Sequence, residues 1–234
     1  MVTYGVLNMQ RASIDTVVLD MDGVIFDTER IWHEVRQELS ITHGGHWNED
    51  DQRAVMGDNS MQWAAYMQKN CAVELSVEDI FAGVVEGLRA RYARDLPLIL
   101  GARESIVGLA GRYRLGVASS SPLEIVEYAL ELAGLRSHFE ACVSSDEVVR
   151  GKPAPDVYLK ACSRLGAKPE ESAAVEDSTS GLKAAAAAGL AVIAIPNPDF
   201  SPSAEALALA DAVLGTITEL TPELVESLVG MPSR

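Results

Sequence analysis

The chain has 234 residues, 48% apolar and 23% charged, a balance that fits a compact protein with a sizeable core and excludes a disordered or fibrous one. Its net charge of −15 argues against a nonspecific grip on nucleic acid or an anionic membrane, so neither is an expected partner, although lysine, backbone N–H groups and a metal can together still hold a small anion. The cysteines, Cys71, Cys142 and Cys162, are too sparse for a disulfide framework or a zinc site; with no signal-like pattern in MVTYGVLNMQRAS and no run of about 18 uncharged apolar residues, the chain is expected in the cytoplasm.

The first expected strand, Ile14 to Leu19, runs into Asp20; Asp22 follows one residue later and Gly23 comes next. Two carboxylates at i and i+2 repel each other unless a cation or a shared proton offsets the charge. Hard oxygen donors with no His or Cys nearby favour Mg²⁺, and Gly23 would let the backbone turn sharply toward it. A surface turn accounts for Asp-x-Asp-Gly as well. An EF-hand does not, because its glycine stands sixth and its glutamate twelfth, whereas Gly23 is fourth from Asp20 and Ile31 is twelfth.

From Arg30 to Pro97 no strand pattern is evident, only amphipathic pieces at Ile31 to Leu39, Met61 to Lys69 and Val77 to Arg94. An insertion directly after the first strand of an α/β sheet stands over the carboxyl ends of the strands. Residues 30–97 are therefore expected as a helical cap on an α/β core formed by 1–29 and 98–234. Within it, THGGHW with His43 and His46 reads as a solvated loop, and Trp47, Trp63 and Tyr66 as core or interdomain packing.

A second strand, Leu115 to Ala118, leads into Ser119, Ser120 and Ser121 and then a helix from Leu123 to Gly134. Serine hydroxyls and helix-start N–H groups suit an anion, and they suit an ordinary helix cap equally. After a strand at Ala141 to Val143, RGKPAPDVY places Lys152 among prolines that either hold it inward or leave it in solvent. The strand Ala173 to Val175 ends in Glu176 and Asp177, with Ser178 or Thr179 to start the helix that covers Gly181 to Gly189. Val192 to Ile195 and Ala212 to Leu214 complete the strands, separated by a Pro/Ser loop at Pro196 to Ser203. Alternating strands and helices imply an α/β fold with a doubly wound parallel sheet. All strand carboxyl ends then share one edge, where Asp20, Asp22, Ser119, Lys152, Glu176 and Asp177 are expected to converge.

DMDGVIFDT, ASS, GKPAPD and EDS, in this order and with a helical insert after the first, resemble the four signature motifs of the haloacid dehalogenase superfamily, in its helical-cap subgroup near β-phosphoglucomutase and sugar phosphatases. The resemblance spans residues 15 to 196 and implies a Rossmann-like core. It implies Asp20 as the nucleophile that accepts a phosphoryl group and Asp22 as the general acid and base. It implies Mg²⁺ held by Asp20, the backbone carbonyl of Asp22 and Asp177, with Glu176 a further ligand or a support, and phosphate held by Ser119, Ser120 and Lys152. Dehalogenases and phosphonatases of the superfamily lack an acid at the place of Asp22, which disfavours their chemistry here.

The β-phosphoglucomutases carry a His where this chain has Trp32 and an Arg where it has Ser60. Both departures favour a phosphatase of a small phosphate ester, such as a sugar phosphate, over a phosphosugar mutase, and the intact set of acids disfavours a noncatalytic binding module. Trp32, Asn59 and Ser60 are the candidate substrate contacts of the cap, with helix packing and a loop turn as the alternative; Asp27, Thr28 and Asp156 are expected to orient loops. A monomer is the expected state.

Overall fold

The computed structural model describes residues 11–198 and 201–230. Most of the N-terminal stretch read for a signal, and two residues of the Pro196 to Ser203 loop, lie outside them. Strand β1 (Thr16–Leu19) is followed by four helices, α1 (Glu29–Thr42), α2 (Glu49–Ala54), α3 (Ser60–Asn70) and α4 (Val77–Arg94). Then come α5 (Ala102–Ala110), β2 (Arg114–Ser119), α6 (Leu123–Leu132), β3 (Ala141–Ser144), α7 (Asp156–Leu165), β4 (Ser172–Glu176), α8 (Thr179–Ala187) and β5 (Ala191–Ala194). A short α9 (Ala204–Leu207), β6 (Ala212–Val213) and α10 (Pro222–Ser227) close the described chain.

The six strands form one parallel sheet in the order β3-β2-β1-β4-β5-β6. Strands buried on both faces read as continuous apolar runs, as β1 to β5 do, while the two-residue edge strand β6 is partly exposed. Their residues alternate between two cores. Val17 and Leu19 of β1 pack with Val117, Val175 and Ile193 under α5, α6 and the insert helices. Val18 packs with Ala118, Val143, Ala174 and Val192 under α7 and α8. The small alanines of α8, Ala184 and Ala185, are fully buried there, so this helix lies close on the sheet.

The order reverses at β1, which pairs with β2 on one side and β4 on the other, Leu19 facing both Val117 and Val175. The crevice beyond the carboxyl ends of such central strands is where doubly wound sheets bind ligands. Asp20 begins the chain beyond β1, Ser119 ends β2, and Glu176 ends β4. Helices α1 to α4 pack on one another, α1 on α4 and α3 on α4, while α4 also meets α6 of the core. Ser60, at the start of α3, donates its backbone N–H to Asp146 Oδ1 at 2.7 Å and its hydroxyl to Oδ2 at 2.6 Å, tying the insert to the turn after β3.

Candidate active site

Asp20 is buried at the end of β1, its amide donating to Val175 O at 2.9 Å and so anchoring it to β4. Burial pushes its carboxyl up to about 8, against the pull of Lys152 and with the repulsion of Glu176 and Asp22. Lys152 Nζ lies 3.0 Å from Asp20 Oδ1, close enough for an ion pair yet not aligned as a hydrogen bond, so that buried oxygen has no hydrogen-bond partner. The ammonium donates instead to Ala118 O at 3.0 Å and Glu176 Oε1 at 2.5 Å. Burial alone would discharge Lys152, but Asp20 and Glu176 outweigh it and hold the amine above its ordinary value.

Glu176 is fully buried and works behind the cavity. Besides Lys152 it accepts Tyr158 OH at 2.8 Å, the Asp177 amide at 3.2 Å and the Ser178 hydroxyl at 3.1 Å. A Cβ on Gly181 would fall 1.9 Å from its carboxyl carbon, so α8 can begin this close only with glycine there. Asp177 faces the cavity, and burial, reinforced by Glu176 and Asp20, raises it well above the usual carboxylate range. Gly23, at φ +81°, turns the chain beneath it, and a Cβ there would sit 2.0 Å from Asp177 Oδ2.

Asp22 is held by three donors. Its Oδ1 accepts the Thr28 hydroxyl in a short bond and Trp32 Nε1 at 3.3 Å, and its Oδ2 accepts Ser121 Oγ at 2.6 Å. Thr28 stands at the N-cap of α1, yet its hydroxyl makes no capping bond. Ser119 Oγ accepts the Ser121 amide at 3.0 Å, and Ser120 Oγ donates to Gly57 O at 3.2 Å, linking core to insert.

The structure brings Asp20, Asp22, Ser119, Ser120, Lys152 and Asp177 to one cavity of about 640 Å³ including its open mouth, with Trp32 on its wall. Asn59 and Ser60 are not on that wall. Asn59 caps α3, accepting the Gln62 amide at 3.0 Å, and Ser60 serves the link to Asp146. Trp63, expected as packing, is buried and also lines the cavity. Missing from the sequence reading were Glu29, Arg36, Gln52 and Asp58, all on the wall, and Ser121 as a partner of Asp22. Arg36 left a signal: it stands four residues after Trp32, on the face of α1 that buries Trp32 and Val35, where a charge has no place in plain packing.

Carboxylate oxygens of Asp20, Glu176 and Asp177 lie within 4.8 Å of one another, all three side chains are buried, and one Asp20 oxygen lacks a hydrogen bond. Lys152 alone does not balance three acids, so a divalent cation of hard-oxygen preference fits this donor set.

A doubly wound sheet gathers these acids, a buried lysine and serine hydroxyls at its switch point, and the chain's relatives mark it as a hydrolase of phosphate monoesters. The chain belongs to the haloacid dehalogenase-like hydrolase family, whose model matches residues 17–195. It is 30% identical over 178 residues to the phosphorylated carbohydrates phosphatase of Thermotoga maritima, covering 76% of this chain and 82% of that protein. It is 30% identical over 210 residues to hexitol phosphatase B of Escherichia coli K12, covering 87% and 93%. Among solved structures, CbbY from Rhodobacter sphaeroides in complex with phosphate superposes with a TM-score of 0.82 at 28% identity, covering 92% of this chain and 99% of that one.

Proposed function

We propose that the chain hydrolyses the phosphate monoester of a small polyhydroxy metabolite, such as a sugar phosphate, by way of an aspartyl phosphate on Asp20. The observation that carries this reading is Asp20 at the end of β1, facing the cavity, with the thrice-held Asp22 carboxyl beside it. In the first half-reaction an Asp20 carboxylate oxygen attacks phosphorus, the bond from phosphorus to the ester oxygen breaks, and the Asp22 carboxyl gives that oxygen its proton. In the second, the Asp22 carboxylate takes a proton from water, whose oxygen attacks phosphorus. The bond to Asp20 breaks, inorganic phosphate leaves, and Asp20 returns as carboxylate.

Asp20, Asp177 and the backbone carbonyl of Asp22 are the proposed holders of Mg²⁺, with Glu176 in support. Bound there, the ion would offset the repulsion between a carboxylate and a phosphate dianion. Ser119, the Ser120 amide and Lys152 hold the phosphoryl oxygens, and Glu176 and Tyr158 keep the Lys152 ammonium in place. Residues 30–97 act as the cap that selects the leaving group, through Trp32 and its neighbours on the cavity wall. That Ser60, at the place of the mutase arginine, is engaged by Asp146 supports hydrolysis over phosphate relocation. Among the described residues no helix is long and apolar enough to cross a membrane, and the three buried free cysteines support a reducing, cytoplasmic setting. One chain completes the cavity, which supports a monomer.

Asp20→Asn is expected to abolish phosphate release from p-nitrophenyl phosphate in Mg²⁺, and Asp22→Asn to slow both half-reactions. Turnover retained by Asp20→Asn would overturn the nucleophile assignment. With β-glucose 1-phosphate, release of phosphate is the expected result, and formation of glucose 6-phosphate would favour a mutase.

A further inference from the structure

Arg36 has no part in that chemistry, and it is the least expected residue on the cavity wall. Its guanidinium carbon lies 4.6 Å from the ring centroid of Trp32, 5.0 Å from Trp63 and 5.6 Å from Trp47. Nη1 donates to Gln52 Oε1 at 3.1 Å, Gln52 Nε2 donates to Glu29 Oε2 at 3.1 Å, and the buried Nε of Arg36 has no hydrogen-bond partner. The side chain is only 6% exposed.

A desolvated guanidinium with an unsatisfied N–H is disfavoured, and a leucine or methionine would fill the same space among three indoles without that penalty. Attraction to the ring faces offsets part of it. Because Arg36 also lines the cavity, a ligand seated there can offer acceptors to its guanidinium. What kind of ligand is settled by the groups that face Arg36. Glu29 and Asp58 line the same cavity and act on Arg36 electrostatically, together with Asp22, and burial raises both Glu29 and Asp58 above their ordinary values. A second phosphoryl or carboxylate group seated at Arg36 would meet these acids. A hydroxyl would not, because it accepts from the guanidinium and donates to a carboxylate at once.

We propose that Arg36, held between the rings of Trp32 and Trp63, is the specificity-determining residue for the leaving group: it donates to the hydroxyl oxygens of an uncharged polyol, while Glu29 and Asp58 accept hydroxyl protons and exclude esters that carry a second anionic group. This rests on the phosphatase reading above and adds to it the residue and the charge rule that select among esters.

The test compares kcat/KM of the wild type, Arg36→Met, Arg36→Lys and the pair Glu29→Gln with Asp58→Asn. The substrates are a hexitol 6-phosphate, phenyl phosphate, which has no hydroxyl to offer, and a hexose 1,6-bisphosphate. Arg36→Met is expected to lower kcat/KM for the hexitol phosphate by about 10- to 100-fold, the loss of a charge-assisted hydrogen bond, and for phenyl phosphate by less than about threefold. Arg36→Lys keeps the charge without the fork and should recover part of that loss, most of it in KM. The double carboxamide variant is expected to gain about tenfold on the bisphosphate, and it carries the test if Arg36→Met does not fold. An equal fall on hexitol and phenyl phosphates, or a wild type that prefers the bisphosphate, would overturn the assignment of Arg36. Failure of the wild type to release phosphate from any of the three would instead fall on the phosphatase reading and take this inference with it.

Discussion

At the scale of single residues the site depends on approaches closer than a side chain allows. Gly23 combines a left-handed φ with an Asp177 oxygen in the space a Cβ would take. Gly23→Ala is therefore expected to lower unfolding free energy by about 1–3 kcal/mol in urea titration, and to depress phosphate release further than that loss explains because Asp177 is displaced. The sequence marks this glycine only as a turn former; that an acid from another strand rests against it is tertiary information. The same holds for Lys152. Its prolines suggest a stiff loop, but that its ammonium bridges Asp20 and Glu176 follows from β1 and β4 being neighbours in the sheet.

At the scale of elements the N-cap hydroxyls of α1 and α4 are put to different uses. Ser76 caps α4 by accepting the Asp79 amide at 3.1 Å, whereas Thr28 of α1 gives its hydroxyl to Asp22. Ser76→Ala should cost about 1 kcal/mol of stability and leave kcat unchanged. Thr28→Ala should cost little stability through capping but lower kcat by about tenfold, the usual worth of one hydrogen bond to a charged group. Thermal melting and steady-state rates on the two variants separate the roles. Strands β1 to β5 were legible because burial on both faces leaves an apolar run, whereas the edge strand β6 is partly exposed. Helix α2 was not legible, since it has only six residues, EDDQRA, and is set by the Asn48–Asp51 capping box rather than by an apolar stripe. The convergence of the acids could be read from their places at strand ends, which a parallel sheet puts on one edge. The wall of the insert could not, because Glu29, Arg36, Gln52 and Asp58 meet only once α1 and α2 pack across one another.

At the scale of the whole molecule the buried acids set how stability responds to pH and to metal. In the unfolded chain Asp20 and Asp177 ionise near the usual value of about 4, whereas in the fold Asp20 keeps its proton up to about 8 and Asp177 is raised well above its ordinary range. The unfolded state thus binds fewer protons across this window, so in EDTA the melting temperature is expected to fall as pH rises from about 5 to about 8. Mg²⁺ should restore more of it at pH 8 than at pH 5, because the ionised acids are the form that binds a cation. Asp177→Asn should flatten both trends; an unchanged slope would mean that these acids do not govern it.

The bonds from Ser60 to Asp146 also have a kinetic meaning. They fasten the insert to the core between Ser60, which is buried, and Asp146, which is exposed. Replacing Asp146 by Ala should quicken hydrogen exchange at the Ser60 amide by about tenfold while the strand amides stay protected. The hold of the insert on the core can thereby be loosened at one carboxylate without touching the forces that keep the sheet folded.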